Sequence, residues 1–167
     1  MLSRLPFRSL ALALFVVCYG MLAYGLYLPH VKGIEPCPMC IMQRYALAVC
    51  GLIGLVAGLH NPRRGGQLVY GALLAVAAVV GGGVAARQSW IQWYPPEVSE
   101  CGPGLEYMLD SFPLASSLPM IFRGAGDCSV VDWTFLGLTI ANWSFVTFAT
   151  ILAALAAYLL RRDKNRP

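Results

Sequence analysis

Cysteine is the residue type whose number and spacing point most directly to chemistry in this chain. The sequence contains six cysteines, and two of them form the motif Cys37-Pro-Met-Cys40. Two thiols separated by two residues can close into a short disulfide, and one thiol of such a pair is often reactive. The remaining cysteines are Cys18, Cys50, Cys101 and Cys128. Thiol–disulfide exchange is therefore the first chemistry to consider.

The residues around this motif predict a helix that begins within it. Pro38 suits the first position of a helix, which places Cys40 in the first turn. Free backbone N–H groups and the helix dipole favour a negative charge at that end. Arg44 follows four residues after Cys40 and lies on the same helical face. The sequence therefore predicts a stabilised Cys40 thiolate.

Four apolar runs indicate that the elements positioning these residues are membrane-spanning helices. Hydrophobic residues make up 58% of the chain and charged residues 12%, whereas soluble domains carry roughly 25% charged residues. A spanning helix needs about 20 apolar residues, and the second run reaches this length if Arg44 lies near the membrane surface. The predicted spans are residues 10–28, 41–59, 68–86 and 143–160. We therefore predict an all-α membrane protein, a bundle of four transmembrane helices in one membrane domain over residues 1–167.

The distribution of Lys and Arg predicts the orientation of this bundle. Eight of the 12 basic residues fall on one side of a four-span chain, and an excess of basic residues marks the cytoplasmic side. They are Arg4, Arg8, Arg63, Arg64, Arg161, Arg162, Lys164 and Arg166. Both termini are therefore predicted to be cytoplasmic, and loops 29–40 and 87–142 are predicted to face outward, which in a bacterium means the periplasm. The first run is longer than a signal-peptide core and lacks a good cleavage site, so we expect it to be retained.

This topology divides the cysteines into two groups. The periplasmic group contains Cys37, Cys40, Cys101 and Cys128. The periplasm is oxidising, so these four are expected to form two disulfides. Cys18 and Cys50 fall inside helices, where a buried thiol usually packs as a small apolar residue.

The second periplasmic loop is too long to be a simple connection. Loops of more than about 12–15 residues are usually functional or disordered. Residues 114–122 are apolar but too few to span a bilayer, so we predict a short segment on the membrane surface. Trp90, Trp93, Trp133 and Trp143 flank the neighbouring spans and suit the aromatic belt of the outer membrane–water boundary.

Other kinds of site fit the sequence less well. Zinc sites use Cys-x-x-Cys pairs, but the wide separation of Cys101 and Cys128 disfavours a metal. The chain has no G-x-G-x-x-G after a predicted strand, so neither a flavin nor a nicotinamide is expected. Basic residues form short clusters beside apolar runs, so nucleic acid is not an expected partner. Gly51, Gly54 and Gly58 are interpreted as sites of close helix packing.

Redox cysteines at the mouth of a membrane helix need an electron acceptor, and the lipid phase offers a quinone. Arg44, beside Cys40, is placed to hydrogen-bond a quinone oxygen and to stabilise charge developing on it. A charged residue within a membrane helix is costly, so we interpret Arg44 as functional. The alternative is a side chain that only extends to lipid phosphates.

The run Cys37-Pro-Met-Cys40-Ile-Met-Gln-Arg44 at the start of the second helix resembles the DsbB family of disulfide bond formation proteins. The resemblance covers the whole chain, including four spans and two cysteines in a long second loop. It implies a protein-disulfide:quinone oxidoreductase that reoxidises the periplasmic thiol oxidase DsbA. The implied electron acceptor is ubiquinone, with menaquinone as an alternative.

The resemblance also implies a role for each periplasmic cysteine. Cys37 and Cys40 match the pair beside the quinone. Cys101 and Cys128 match the loop pair, and Cys101 is the cysteine that DsbA attacks. Electrons would then pass from the loop pair to Cys37 and Cys40, here called the helix pair, and on to the lipid phase.

Arg44 matches the quinone-site arginine of the family. Arg87 and Gln88, at the outer end of the third span, lie where the same site can gain polar contacts. Two other classes of protein stay open. One is a related four-span thiol–quinone enzyme with another client, such as a sulfotransferase partner or a vitamin K epoxide reductase-like protein. The other is a non-enzymatic scaffold stapled by disulfides, although the short Cys-x-x-Cys ring adds little stability of that kind.

Overall fold

Four long helices dominate the structure, a computed structural model that describes residues 7–33, 36–95, 128–131 and 133–164. The helices are α1 (Phe7–Lys32), α2 (Pro38–His60), α3 (Arg64–Trp93) and α4 (Ile140–Lys164). Each contains a stretch that is long and apolar enough to cross a membrane. The predicted all-α membrane architecture with four spanning helices is therefore confirmed. The apolar segment 114–122 lies outside the described residues.

The third helix extends further than its predicted span. It continues past Ala86 to Trp93, so Arg87 and Gln88 belong to the helix and not to the start of a loop. Gln88, Ser89 and Ile91 are buried in these last turns. Pro95 follows the C-cap residue, and a proline disfavours helical backbone in the residue before it. The predicted span, residues 68–86, covered only the apolar part of α3, because hydropathy does not detect the more polar turns at its ends.

A short antiparallel hairpin precedes α4 and was not predicted. Its strands are β1 (Thr134–Phe135) and β2 (Leu138–Thr139). The two turn residues, Leu136 and Gly137, have φ values of 53° and 76°. Tight hairpin turns need this left-handed backbone, which leucine rarely adopts. Of the two turn residues only Gly137 is typical of such a turn, so the sequence did not predict the hairpin.

The helices pack in chain order, α1 along α2, α2 along α3 and α3 along α4. Glycines of α2 allow α1 to approach closely. A Cβ on Gly54 would lie 2.9 Å from the carbonyl oxygen of Ala11, and one on Gly58 would lie 2.7 Å from Leu12 Cδ2. Small residues permit such close approach between membrane helices. The predicted role of these glycines is confirmed.

The core contains residues from all four helices and includes both helix cysteines. Cys18 and Cys50 are each 0% exposed and pack with Leu47, Leu74 and Phe148. Their predicted role as small apolar core residues agrees with this burial. A second buried cluster lies at the end of the bundle that holds Cys37, which we call the cysteine end. Of the side chains predicted from the sequence, Cys37, Cys40, Arg44, Gln88 and Cys128 lie at this end.

Candidate functional site

The Cys-x-x-Cys motif forms the N-terminus of α2. Cys37 is the N-cap residue and Pro38 occupies the first turn, as the sequence predicts. Cys37 Sγ accepts a hydrogen bond from the backbone N–H of Cys40 at 3.4 Å. Cys37 Sγ also donates to Cys40 Sγ at 3.0 Å. Cys40 thus combines a helix N-terminus with a thiol donor, and both favour negative charge on its sulfur.

Two buried glutamines complete the surroundings of the sulfurs. Gln43 and Gln88 are each 2% exposed, and Gln43 Nε2 donates to Gln88 Oε1 at 2.6 Å. Cys40 Sγ is also within 3.7 Å of Gln88 Oε1 as a donor, and Gln88 Nε2 lies closer to both sulfurs. That nitrogen donates to Cys40 Sγ at 3.2 Å and to Cys37 Sγ at 3.3 Å. The structure therefore brings Gln88, a candidate from the sequence, into the site.

The sequence analysis did not identify Gln43 as a site residue. A signal was present, because Gln43 lies three residues after Cys40 and shares its helical face. Its Oε1 is buried and has no hydrogen-bond partner among the described residues. A buried acceptor without a donor costs about 1–3 kcal/mol. The site therefore has an unused place for a ligand donor.

Cys128 of the second loop packs against the Cys-x-x-Cys motif. It is 0% exposed and lies in one apolar cluster with Cys37, Met39 and Ile91. Hydrogen bonding with Cys128 and with Cys40, together with burial, raises the pKa of the Cys37 thiol above its ordinary range. The structure thus joins one cysteine of the second loop to the helix pair. Cys101 lies outside the described residues.

A cavity of about 100 Å³ opens beside Cys40. It is of the same order as the roughly 150 Å³ cavity that accepts benzene in another protein. Its polar lining residues include Cys40, Gln43, Arg44, Gln88, Gln92 and Ser144. Arg87 does not line this cavity, and its side chain lies on the exposed face of α3.

Arg44 spans the gap between α2 and α1 at this cavity. Its Nη2 donates to the backbone carbonyl oxygen of Gly25 at 2.6 Å. A guanidinium carries five N–H donors, so one bond to Gly25 leaves others for a ligand. The predicted neighbourhood of Cys40 and Arg44 is therefore present, with both side chains on the cavity wall.

Aromatic residues surround the cavity on the side of α1 and α4. The rings of Tyr24 and Trp133 lie 5.6 Å apart, and those of Phe135 and Trp143 lie 6.0 Å apart. Trp143 Nε1 donates to the carbonyl oxygen of Phe135 at 3.1 Å, which ties the hairpin to α4. Trp133, which directly precedes the hairpin, lines the cavity and stacks on Phe135 of β1 with ring centroids 6.1 Å apart.

The opposite end of the bundle closes differently. There α1 and α4 meet through Phe7 and Tyr158, whose ring centroids lie 5.6 Å apart. At the cysteine end, residues of both helices line the cavity instead. The fold and the site together define a class of protein: a four-span membrane protein with a buried thiol cluster at one end of the bundle.

Comparison with known proteins agrees with this class. The family model described as Disulfide bond formation protein DsbB matches residues 7–158. Disulfide bond formation protein B of Azoarcus sp. is 67% identical over 153 residues, which cover 92% of each chain. The protein of that name from Aromatoleum aromaticum is 60% identical over 158 residues, which cover 95% of each chain. That of Acidovorax sp. is 50% identical over 164 residues, 97% of this chain and 92% of the relative.

The chain belongs to the DsbB family, so the resemblance seen in the sequence is confirmed. It is a multi-pass protein of the bacterial inner membrane. Its function lies in disulfide bond formation, as an oxidoreductase of that process.

Proposed function

We propose that this protein is a thiol:quinone oxidoreductase that reoxidises a DsbA-like periplasmic thiol oxidase and passes the electrons to a membrane quinone. The observation that carries the proposal is the position of Cys40. Its sulfur lies at a helix N-terminus, and the residue lines a mainly apolar cavity together with Arg44 and Gln88. A reactive thiol is thus placed where a lipid-soluble electron acceptor can reach it.

The polar groups of the cavity fit a quinone ring. Arg44 offers N–H donors to a carbonyl oxygen, and the unpartnered Gln43 Oε1 offers an acceptor to a hydroxyl of the reduced ring. When bound, a quinone supplies an acceptor for two electrons and two protons. We propose ubiquinone as this acceptor, with menaquinone as the alternative, because these contacts recognise the ring oxygens that both share.

The thiol contacts support an electron path through two cysteine pairs. The partner's two thiols reduce the Cys101–Cys128 disulfide and become a disulfide themselves. The resulting loop thiols then reduce the Cys37–Cys40 disulfide, and each exchange conserves electrons and protons. The contact between Cys128 and Cys37 supports this second exchange, because it brings one cysteine of the proposed loop pair to the helix pair.

The two cysteines of the helix pair have different roles in this proposal. The raised pKa of Cys37 keeps its proton in place, and that thiol donates to Cys40 Sγ. Cys40 therefore carries the negative charge, and the thiolate is the nucleophile in thiol chemistry. The two electrons released when the Cys37–Cys40 disulfide forms again would pass to a bound quinone, with one proton from the Cys37 thiol and one from water, equal to the proton that Cys40 released on becoming a thiolate.

A direct assay tests this function. The purified protein is mixed with a reduced DsbA-like oxidase and a short-chain ubiquinone, and quinone reduction is followed by absorbance. We expect turnover that requires all three components and stops in Cys40→Ala and in Cys101→Ala/Cys128→Ala. The Cys18→Ala/Cys50→Ala variant is the matched control and should remain active. Full quinone reduction by Cys40→Ala would contradict the proposal.

A further inference from the structure

A proline inside α1 leaves one backbone carbonyl without its usual donor. Pro29 lies within the helix, four residues after Gly25. In an α-helix the carbonyl of residue i accepts from the N–H of residue i+4, and proline has no N–H. The Gly25 carbonyl therefore lacks its intrahelical partner. An unsatisfied carbonyl is costly within a membrane, where water is not available to bind it.

Arg44 supplies the missing donor from a different helix. Its Nη2 lies 2.6 Å from the Gly25 carbonyl oxygen. A Cβ on Gly25 would stand 3.5 Å from Arg44 Nε, so the guanidinium packs directly against the α1 backbone at this point. The same arginine lines the cavity beside Cys40. The bond therefore joins α1 to the candidate site.

We propose that Pro29 is a positioning residue for Arg44: it keeps the Gly25 carbonyl available, and this carbonyl holds the guanidinium at the cavity. The inference rests on the proposed role of Arg44 in quinone binding. An arginine side chain has many rotamers, and fixing it before the ligand arrives reduces the entropy lost on binding.

Helix termination does not account for Pro29. The helix continues beyond it to Lys32. It ends at Gly33, whose φ of 68° is typical of the residue after a helix. The backbone N–H of Gly33 also donates to the Pro29 carbonyl oxygen at 3.2 Å. The proline thus removes a donor in the last turn of a helix that continues three residues beyond it.

Pro29→Ala tests the inference without weakening the helix. Alanine restores the N–H at position 29 and has the highest helix propensity, so α1 should be at least as stable as before. The new N–H competes with Arg44 for the carbonyl. A carbonyl has two lone pairs, so the competition is partial and the apparent KM for quinone should rise about threefold to tenfold. Single-turnover exchange with the DsbA-like partner should stay unchanged.

Gly20→Ala is the matched control in the same helix. It also adds a good helix former, and its Cβ would have no neighbour within 4 Å. We expect the KM for quinone to stay at the wild-type value. An equal rise in both variants would show that helix stabilisation alone causes the effect, and the inference would be wrong.

A double-mutant cycle with Arg44→Ala separates this inference from the proposed function. If Pro29 acts through Arg44, Pro29→Ala should cause no further rise in KM in the Arg44→Ala background. A wild-type KM in Pro29→Ala, with a raised KM in Arg44→Ala, would overturn the inference and leave the function intact. A wild-type KM in Arg44→Ala would instead contradict the quinone role of the arginine.

A second readout needs no quinone. Hydrogen exchange of the Arg44 guanidinium, followed by NMR of the detergent-solubilised protein, reports its bond to Gly25. We expect faster exchange in Pro29→Ala than in wild type or Gly20→Ala. Equal exchange in all three proteins would show that the proline does not control the bond.

Discussion

The sulfur of Cys40 is surrounded by groups that favour negative charge on it. Cys37 donates from one side and Gln88 Nε2 from another, while the N-terminus of α2 lies beneath. Gln43 holds the Gln88 amide in the orientation that presents its nitrogen. These hydrogen bonds come from different residues, so each can be removed by its own substitution and its effect on activity measured separately.

Gln88→Leu removes the amide donor and leaves Gln43 without its partner. A hydrogen bond to a charged group contributes about 1.5–3 kcal/mol, so quinone reduction should slow by at least about tenfold. Gln67→Leu is the matched control, because Gln67 lies at the other end of α3 and accepts from Tyr158 Oη at 2.9 Å. Similar losses of turnover in both variants would indicate general destabilisation and not a role at the sulfurs.

Arg44→Ala should impair quinone use while sparing disulfide exchange. Loss of a charge-assisted hydrogen bond corresponds to roughly a tenfold to hundredfold fall in kcat/KM for quinone. The kcat/KM of Arg44→Lys for quinone should lie between the values of wild type and Arg44→Ala, because lysine keeps the charge but not the planar set of donors. Steady-state kinetics with varied quinone measure the first effect, and rapid mixing with the reduced partner measures the second. Unchanged quinone kinetics in Arg44→Ala would support an arginine that contacts only lipid.

The raised pKa of Cys37 predicts a pH dependence of alkylation. A thiol reacts as its thiolate, so reduced Cys37 should be alkylated slowly until the pH is well above about 8.5, the ordinary thiol value. Hydrogen bonding with Cys128 is the largest cause of the raised pKa. Cys128→Ala should therefore shift the alkylation profile of Cys37 to lower pH. Mass spectrometry after iodoacetamide treatment at a series of pH values measures the alkylation of Cys37. An unchanged profile in Cys128→Ala would contradict hydrogen bonding with Cys128 as the cause of the raised pKa.

Helix α2 is the element that organises the site. Its N-cap and first two turns carry Cys37, Cys40, Gln43 and Arg44. The last three share a face at spacings of three and four residues, so one helix presents them together. Their position relative to α1 depends on the glycines deeper in α2, where the two backbones approach.

Gly54→Ala should weaken this helix contact. Its Cβ would lie 2.9 Å from the Ala11 carbonyl oxygen, a backbone atom that cannot move aside. Overpacking of this kind typically costs about 1–3 kcal/mol, so thermal unfolding in detergent should occur at lower temperature. Gly71→Ala in α3 is the control, because its Cβ would have no neighbour within 4 Å. Equal stability of the two variants would contradict the close packing of α1 on α2.

In the part of the chain that the structure describes, the four helices form a bundle with a cavity at one end. At the opposite end α1 meets α4 through Phe7 and Tyr158, and at the cysteine end the cavity lies between residues of all four helices. This arrangement is useful to a thiol:quinone oxidoreductase only if the cysteine end faces the oxidising compartment. Membrane orientation is therefore the property of the whole molecule on which the proposed function depends.

Reporter fusions test the orientation. Basic residues are retained on the cytoplasmic side, so fusions after residues 64 and 167 should report the cytoplasm. Fusions after residues 35 and 110 should report the periplasm. Alkaline phosphatase activity in the periplasm and fluorescence of a cytoplasmic reporter measure the two sides. A periplasmic C-terminus would contradict the orientation and remove the cysteine end from the compartment of its proposed partner.

The sequence by itself determined the four helices, the start of α2 and the family. These properties are local or compositional. A bilayer provides no water for the backbone, so an apolar run of sufficient length must form its own hydrogen bonds as a helix. Pro38 and Cys40 likewise act through their own turn, and the motif that ends at Arg44 lies in consecutive residues.

Only the tertiary structure decided which side chains meet at the sulfurs. Gln88 reaches Cys40 from 48 residues away in the sequence, and Arg44 reaches Gly25 from 19 residues away. No periodicity or spacing rule connects such positions, because the contacts depend on how far each helix is rotated and shifted against the next. The same holds for Cys128, which meets Cys37 although the second loop follows the third span. Hydropathy specifies that helices form in the membrane, but side-chain packing sets their mutual register, and that register assembles the site.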